Sequence, residues 1–214
     1  MRYFVGLLLG MALNSGAYAS SLDDAALART ESYLKNLTTV QAHFTQDLIS
    51  AQGKMLEHSE GVMSLARPGR FRWDYVKPAS LIVSDGQMLW LYDPELAQVT
   101  QRKVSQTLSQ TPALLLAGTA AVHDGYQVRD GGSAENLSWV VLTPKQASSD
   151  FSELRLGFTG NDLARMEFKS TLNQTTKILF QRIERNLHLD ASLFSFTPPP
   201  GVDVVGPASA GSKP

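Results

Sequence analysis

Few residues in this sequence carry reactive chemistry, and their spacing builds none of the common sites. The histidines His43, His58, His123 and His188 are scattered, and none falls in a metal-ligand spacing such as His-Glu-x-x-His. There is no cysteine to serve as a nucleophile, no Gly-x-Ser-x-Gly elbow and no phosphate-cradling glycine loop. Asp23-Asp24 is an adjacent carboxylate pair, but beside a helix start it reads as charge placed against the positive helix end rather than as an acid/base couple. No metal, cofactor or covalent step is implied. A serine-type hydrolase assembled from distant residues has no motif behind it.

The composition narrows the class further. Lys+Arg at 19 against Asp+Glu at 20 gives a formal net charge of -1, and no basic run stands out, so a nucleic-acid partner is excluded. A chain of 214 residues that is 43% hydrophobic suits one globular domain with a substantial core. No internal repeat or linker divides it. Met1-Arg2 is a positive start, Tyr3 to Leu13 is apolar, and Ala17-Tyr18-Ala19 is a small-x-small cleavage pattern. Residues 1–19 therefore read as a signal peptide, leaving a single domain over 20–214. The apolar stretch falls short of the ~20 residues that span a bilayer. No cysteine follows it for lipidation and no later segment is apolar enough to cross, so the mature protein is expected to be an unanchored periplasmic monomer, held by packing alone.

The elements that would position any site are mostly strands. Ser21 is the expected cap of a helix reaching about Leu37, with Asp24 answering it. Leu27, Thr30, Leu34 and Leu37 lie on one face of this helix, flanked by Ala26 and Tyr33, and need a sheet to cover. Alternation then marks strands at Val40–Thr45, Gly61–Ala66 and Phe71–Tyr75, the last two parted by an Arg67-Pro68-Gly69 turn. Leu81–Ser84 and Met88–Tyr92 flank Asp85-Gly86-Gln87 as a hairpin that is apolar on both faces, which predicts a covered position in mid-sheet. Further strands are expected at Tyr126–Arg129, Leu137–Thr143, Glu153–Phe158, Leu163–Lys169, Thr175–Glu184 and Phe194–Thr197, in a long antiparallel meander. One short apolar helix interrupts it: Thr111 as cap, Pro112 first, then Ala113 to Ala117 and a closing Gly118. It is either a core plug or a lid over a curved sheet.

Arg67-Pro-Gly-Arg-Phe-Arg-Trp-Asp-Tyr75, Val83-Ser-Asp-Gly86, Leu89-Trp-Leu-Tyr-Asp-Pro94 and Gln98-Val99, with Thr111-Pro112, Leu142-Thr-Pro-Lys145 and Phe194 to Val202, resemble the LolA family of outer-membrane lipoprotein carriers. The likeness runs through nearly the whole mature chain. It implies a mainly β fold with some α, an incomplete, half-open antiparallel β-barrel whose lid of short helices covers an apolar cavity for lipoprotein acyl chains. It implies as partners an inner-membrane lipoprotein-releasing ABC transporter and the outer-membrane receptor lipoprotein LolB. It also implies that Arg67 helps hold the lid closed and that Phe71 faces the cavity. The receptor shares this fold but carries a lipidated cysteine, absent here. A lipoprotein- or lipid-sensing domain of the same fold is the alternative, though such sensors carry a second domain.

Alternation adds candidates of its own. Phe71, Trp73 and Tyr75 share one face, Met88 and Trp90 share another, and Met63 and Leu65 are in phase with Arg67; these are the expected acyl-chain cavity residues, unless they merely fill a core. Leu114 and Leu115 are the expected lid contacts. A charged Arg67 on an apolar face needs partners, and its guanidinium suits the unpaired carbonyls at the C-terminal end of a short helix. The alternative is a surface arginine in a weak ion pair. The processing site gives the first prediction: intact-mass measurement of the exported protein should show a start at Ser20 without lipid, and full-length protein in the membrane fraction would contradict it.

Overall fold

The computed structural model describes residues 15–104, 112–118, 121–146 and 151–206, and of residues 15–20 and 112–114 the backbone alone. The chain forms α1 (Ser15–Lys35), β1 (Thr39–Ile49), β2 (Met55–Ala66), β3 (Arg70–Lys77), β4 (Ala79–Asp85), β5 (Met88–Asp93) and β6 (Gln98–Lys103). There follow two short helices, α2 (Pro112–Ala117) and α3 (Val122–Gly125), and then β7 (Tyr126–Ala134), β8 (Leu137–Pro144), β9 (Phe151–Thr159), β10 (Asp162–Ser170) and β11 (Thr175–Arg185). A 3₁₀ turn at Ala191–Phe194 and β12 (Asp203–Val205) close it.

All strands belong to one 12-stranded sheet in the order β12-β6-β5-β4-β3-β2-β1-β11-β10-β9-β8-β7. Two antiparallel meanders, β1 to β6 and β7 to β11, meet where β1 pairs with β11, and β12 adds to β6 in parallel. The edge strands β7 and β12 do not pair with each other. The fold is therefore an open, incomplete barrel, mainly β with a few helices.

α1 ends at Lys35, short of Leu37, but the face read from spacing is the one buried: Ala26, Thr30 and Leu34 within the helix and Leu37 just past it are buried, and Leu27 and Tyr33 pack against the same core. Tyr33 meets Phe158 of β9 edge-on at 5.5 Å between ring centroids. α1 starts at Ser15, so Ser21 lies inside the helix and is not its cap, and Ala17-Tyr18-Ala19 lies in its first turns. Asp23 is likewise not terminal charge, since its carboxylate accepts the Asp130 amide of edge strand β7 at 2.7 Å. That bond occupies a donor an edge strand otherwise leaves open.

Other expectations are corrected. The β4–β5 hairpin lies toward the β12 side of the sheet rather than in its middle. Phe194–Thr197 is no strand: it is the end of the 3₁₀ turn and the irregular chain after it, where three consecutive prolines from Pro198 withhold ladder donors. β6, β12 and α3 were not anticipated, because β6 buries one apolar side chain, Val99, within an otherwise polar run. The proposed cap Thr111 lies outside the described residues.

Gly61 shows how tightly the two sides of this sheet fit. It faces inward opposite Phe44 and Tyr75, and a Cβ there would meet the Asp74 carbonyl oxygen at 2.0 Å and the Phe44 ring at 2.9 Å. Both distances are far inside contact, and the first partner is backbone. Gly61→Ala should therefore lower unfolding stability by about 2 kcal/mol or more, in the range of overpacked cores. Urea denaturation checks this, and an unchanged midpoint would show that β3 yields freely.

Candidate functional site

Register places the interior of the half-barrel. Val40, Ala42 and Phe44 of β1 stand opposite Leu65, Met63 and Gly61 of β2, and Leu65 and Met63 stand opposite Phe71 and Trp73 of β3. Side chains directly opposite share a face, so one apolar surface runs across these strands, and all these apolar side chains are buried. From above, Leu34 of α1, Leu37 just past its end, and Leu116 and Ala117 of α2 join the same cluster. These side chains pack closely, and a cavity among them, lined by Tyr33, Leu37, Met63, Leu65, Leu116 and Phe180 among others, measures about 10 Å³. That is the room of a single water molecule.

Of the expected cavity residues, Phe71, Trp73, Met63 and Leu65 lie on this inner face. Met88 and Trp90 do not, which corrects their assignment. Phe71 pairs with Ser84 and Trp73 with Ile82, and these pair onward with Leu89 and Leu91, so Leu89 and Leu91 carry the inner face into β5. Trp90 stands opposite Val83 on the outer face and packs against Phe196 at 6.4 Å. The outer face of β3 is bound to the C-terminal segment too: Arg70 lies 5.6 Å over the Phe194 ring, and Arg72, paired with Asp74, donates to the Leu193 carbonyl at 3.4 Å. Of the expected lid contacts, Leu115 is half-buried against the core, and the Leu114 side chain lies outside the described residues. Among the described side chains of α2, Leu116, which spacing did not single out, is the one that reaches the cavity.

The helices are held down by one arginine. Arg67 donates from Nη1 to the Leu34 carbonyl in the last turn of α1, and from Nη2 to the Gly118 carbonyl just past α2. Each carbonyl lies at or just past a helix C-terminal end, where the helix dipole favours a cation, and the Leu34 carbonyl also accepts the Leu37 amide at 3.2 Å. Two residues on, the Gly69 amide donates to the Ala117 carbonyl at 2.7 Å. Gly69 adopts φ +71° and its Cβ position would lie 3.1 Å from the Gly86 Cα, so glycine suits both its backbone and its surroundings. Ser84 Oγ fixes the turn by donating to the Gly69 carbonyl at 3.0 Å. Burial lowers the Arg67 pKa from its ordinary value, the mark of a charge partly withdrawn from water. A second tie joins the helices at the surface, where His123 of α3 meets Glu31 of α1 at 2.6 Å; the hydrogen bond to Glu31 raises the imidazole pKa.

Toward the opposite end the inner face turns polar. Tyr75 donates its hydroxyl to Gln46 Oε1 at 3.2 Å, and burial pushes that hydroxyl up to about 12, so it stays a neutral donor. Ser59, opposite Gln46, is buried and donates to Glu57 at 2.8 Å. The arrangement can sequester apolar matter if the helices lift, with a polar margin on one side.

The sequence profile described as "Outer membrane lipoprotein carrier protein LolA" matches residues 35–197. A protein of Dechloromonas aromatica named outer-membrane lipoprotein carrier protein is 45% identical over 182 residues, 85% of this chain and 88% of that one. One of the same name from Methylococcus capsulatus is 39% identical over 198 residues, 92% and 95% of the two chains. Among solved structures, an uncharacterized conserved protein from Thermus thermophilus superposes with a TM-score of 0.54 at 15% identity, covering 86% of this chain and 98% of that one. This last likeness concerns the fold alone.

The Arg67 bridge generates a direct prediction. Charge-assisted hydrogen bonds to carbonyls hold the two helices, so Arg67→Leu should speed exchange of the Gly69 amide about tenfold or more, a loss in the range of one such bond. Arg67→Lys, without the planar fork that reaches both carbonyls, should fall between. Hydrogen exchange followed by NMR reads this, and wild-type protection in Arg67→Leu would reduce Arg67 to a surface charge.

Proposed function

The chain belongs to the LolA family of outer-membrane lipoprotein carriers, and from that premise we propose that it ferries lipoproteins across the periplasm. It takes them from an inner-membrane ABC transporter and delivers them to the receptor lipoprotein LolB. The chain itself carries and releases; no covalent step is needed. The apolar inner face of β1 to β3, with Met63, Leu65, Phe71 and Trp73, receives the acyl chains once α1 and α2 lift.

The observation that carries this reading is a continuous apolar interior of buried side chains, covered by helices that Arg67 ties through the Leu34 and Gly118 carbonyls. Three acyl chains of about fifteen methylenes each would cost roughly 36 kcal/mol in water, at ~0.8 kcal/mol per methylene. Unaided diffusion is therefore ruled out. Yet non-covalent affinity saturates near roughly -20 kcal/mol, and a carrier that bound at that limit would never release. A closed empty state solves both difficulties. Cargo can enter only by breaking the Arg67 contacts and unpacking Leu116, so part of its binding energy is set against opening, and reclosure favours release.

Co-expression with a lipoprotein tests this. The purified carrier should retain the lipoprotein, detergent should strip it off, and incubation with LolB-containing membranes should transfer it. Arg67→Leu should still load but transfer several-fold less, since its closed state is weakened. A wild-type protein that retains no lipoprotein would end the carrier reading, and normal transfer by the mutant would end the latch.

A further inference from the structure

Among the described residues, one buried side-chain polar atom has no hydrogen-bond partner: the indole Nε1 of Trp73. The residue is 4% exposed, and its ring sits among Phe44 at 4.7 Å, Phe180 at 6.2 Å and Tyr75 at 6.4 Å. Each of these offers an aromatic face or edge rather than a strong acceptor, and the nearby Tyr75 hydroxyl is engaged with Gln46. An indole N–H can only donate. Left unpaired inside a protein it is destabilising, and native structures rarely tolerate this without a reason. Phenylalanine would fill the place without that penalty.

The position of Trp73 supplies the reason. On the inner face of β3 it lies between Phe71, beside Leu65, and Tyr75, beside Gly61. On the Phe71 side the inner faces of β1 and β2 are apolar, with Val40, Ala42, Met63 and Leu65, and Ser84 of β4, opposite Phe71, has its hydroxyl engaged with the Gly69 carbonyl. On the Tyr75 side it becomes polar, with Gln46, Ser59 and Glu57. The unpaired donor thus stands at the junction of a greasy surface and a polar one. An acylated glyceryl group has the same sequence of parts: methylenes, then an acceptor-only carbonyl, then polar atoms.

We propose that the Trp73 indole N–H receives the carbonyl oxygen of an acyl ester or amide when cargo enters, so that the carrier reads the acyl linkage as well as the length of the chain. This rests on the carrier reading above. The donor has no partner in the closed state and gains one on loading, so the contact favours cargo over mere hydrocarbon. It also sets the cargo's direction, with chains toward Phe71 and Leu65 and the polar root toward Tyr75 and Gln46.

Two probes of equal chain length separate the possibilities: dipalmitoylglycerol, with ester carbonyls, and dihexadecylglycerol, whose ether links lack them. Hydrophobicity alone favours the ether, because burying an unpaired carbonyl is unfavourable. Displacement of a fluorescent apolar dye from the purified mature protein should instead show the ester binding about fivefold more tightly, the size of one net hydrogen bond. In Trp73→Phe the preference should vanish or invert while ether binding persists. In the wild type, the Trp73 indole N–H resonance, assigned by its absence from the variant, should move downfield with the ester and not with the ether. This second measurement stands even if Trp73→Phe folds poorly. Ether binding as tight as ester binding, or an indole resonance indifferent to the ester, overturns the proposal and leaves the carrier reading intact. Binding of neither probe by the wild type overturns both.

Discussion

An apolar surface large enough to take up acyl chains has to be hidden when no chain is present, and this requirement shapes the rest of the molecule. Water cannot fill such a space usefully, because a cavity lined by Leu65, Phe71 and Phe180 offers it no hydrogen bonds. The structure answers by packing: Leu37, just past α1, and Leu116 of α2 enter the half-barrel and line a cavity of about 10 Å³. Packing alone would make a permanent core. In the proposed carrier it would be reversible because the covering elements are tied to the β2–β3 turn by a few directional bonds, those of Arg67 to the Leu34 and Gly118 carbonyls and of Gly69 to Ala117. Such bonds are lost together once the turn moves, whereas interdigitated strands of a closed barrel would have to be pulled apart one by one.

That polar tie is possible because β2 ends in a turn aimed at the helices. Arg67 follows the inner-facing Leu65 by two residues, so alternation alone would direct a guanidinium into the core. At the strand end it meets two helix C-termini instead, where the helix dipoles and the Leu34 and Gly118 carbonyls suit a cation. Ser84 and Gly86 complete the arrangement from the neighbouring hairpin. Gly86 adopts φ +96°, a backbone conformation that favours glycine, and lies against Gly69.

The sequence was most legible where one face is wet and the other dry. Phe71, Trp73 and Tyr75 alternate with Arg70, Arg72 and Asp74, and their inward orientation follows from period alone. Arg67 was legible for the same reason, as a charge out of phase with water. The β4–β5 hairpin was not, because both its faces are apolar. Val83 is fully buried on the outer side, and the 3₁₀ turn Ala191–Phe194 lies against β3 and β4 there. A reader of the sequence has no means of knowing that a segment about a hundred residues downstream covers that side, and so Met88 and Trp90 were assigned to the wrong face. The rotation of α2, which brings Leu116 rather than its neighbours to the cavity, is hidden likewise, since Ala113 to Ala117 offers no polar position to mark the outside.

The outer covering has a mechanical meaning. Arg70 over Phe194, Arg72 between Asp74 and the Leu193 carbonyl, and Phe196 against Trp90 and Tyr92 fasten the C-terminal segment across β3 to β5. β12 then joins β6 and extends the sheet on that side. The strands bearing Phe71 and Trp73 are thus packed on one side and laddered to neighbours on both edges, while α2 is six residues long and tied mainly through its last carbonyls. A short helix of this kind has little stability of its own. Of the two walls around the interior, the sheet is the one with reason to stay and the helices are the ones with reason to move. If cargo enters as proposed, by lifting the helices, the β2–β3 register, and with it the positions of Met63, Phe71 and Trp73, need not change between empty and loaded carrier.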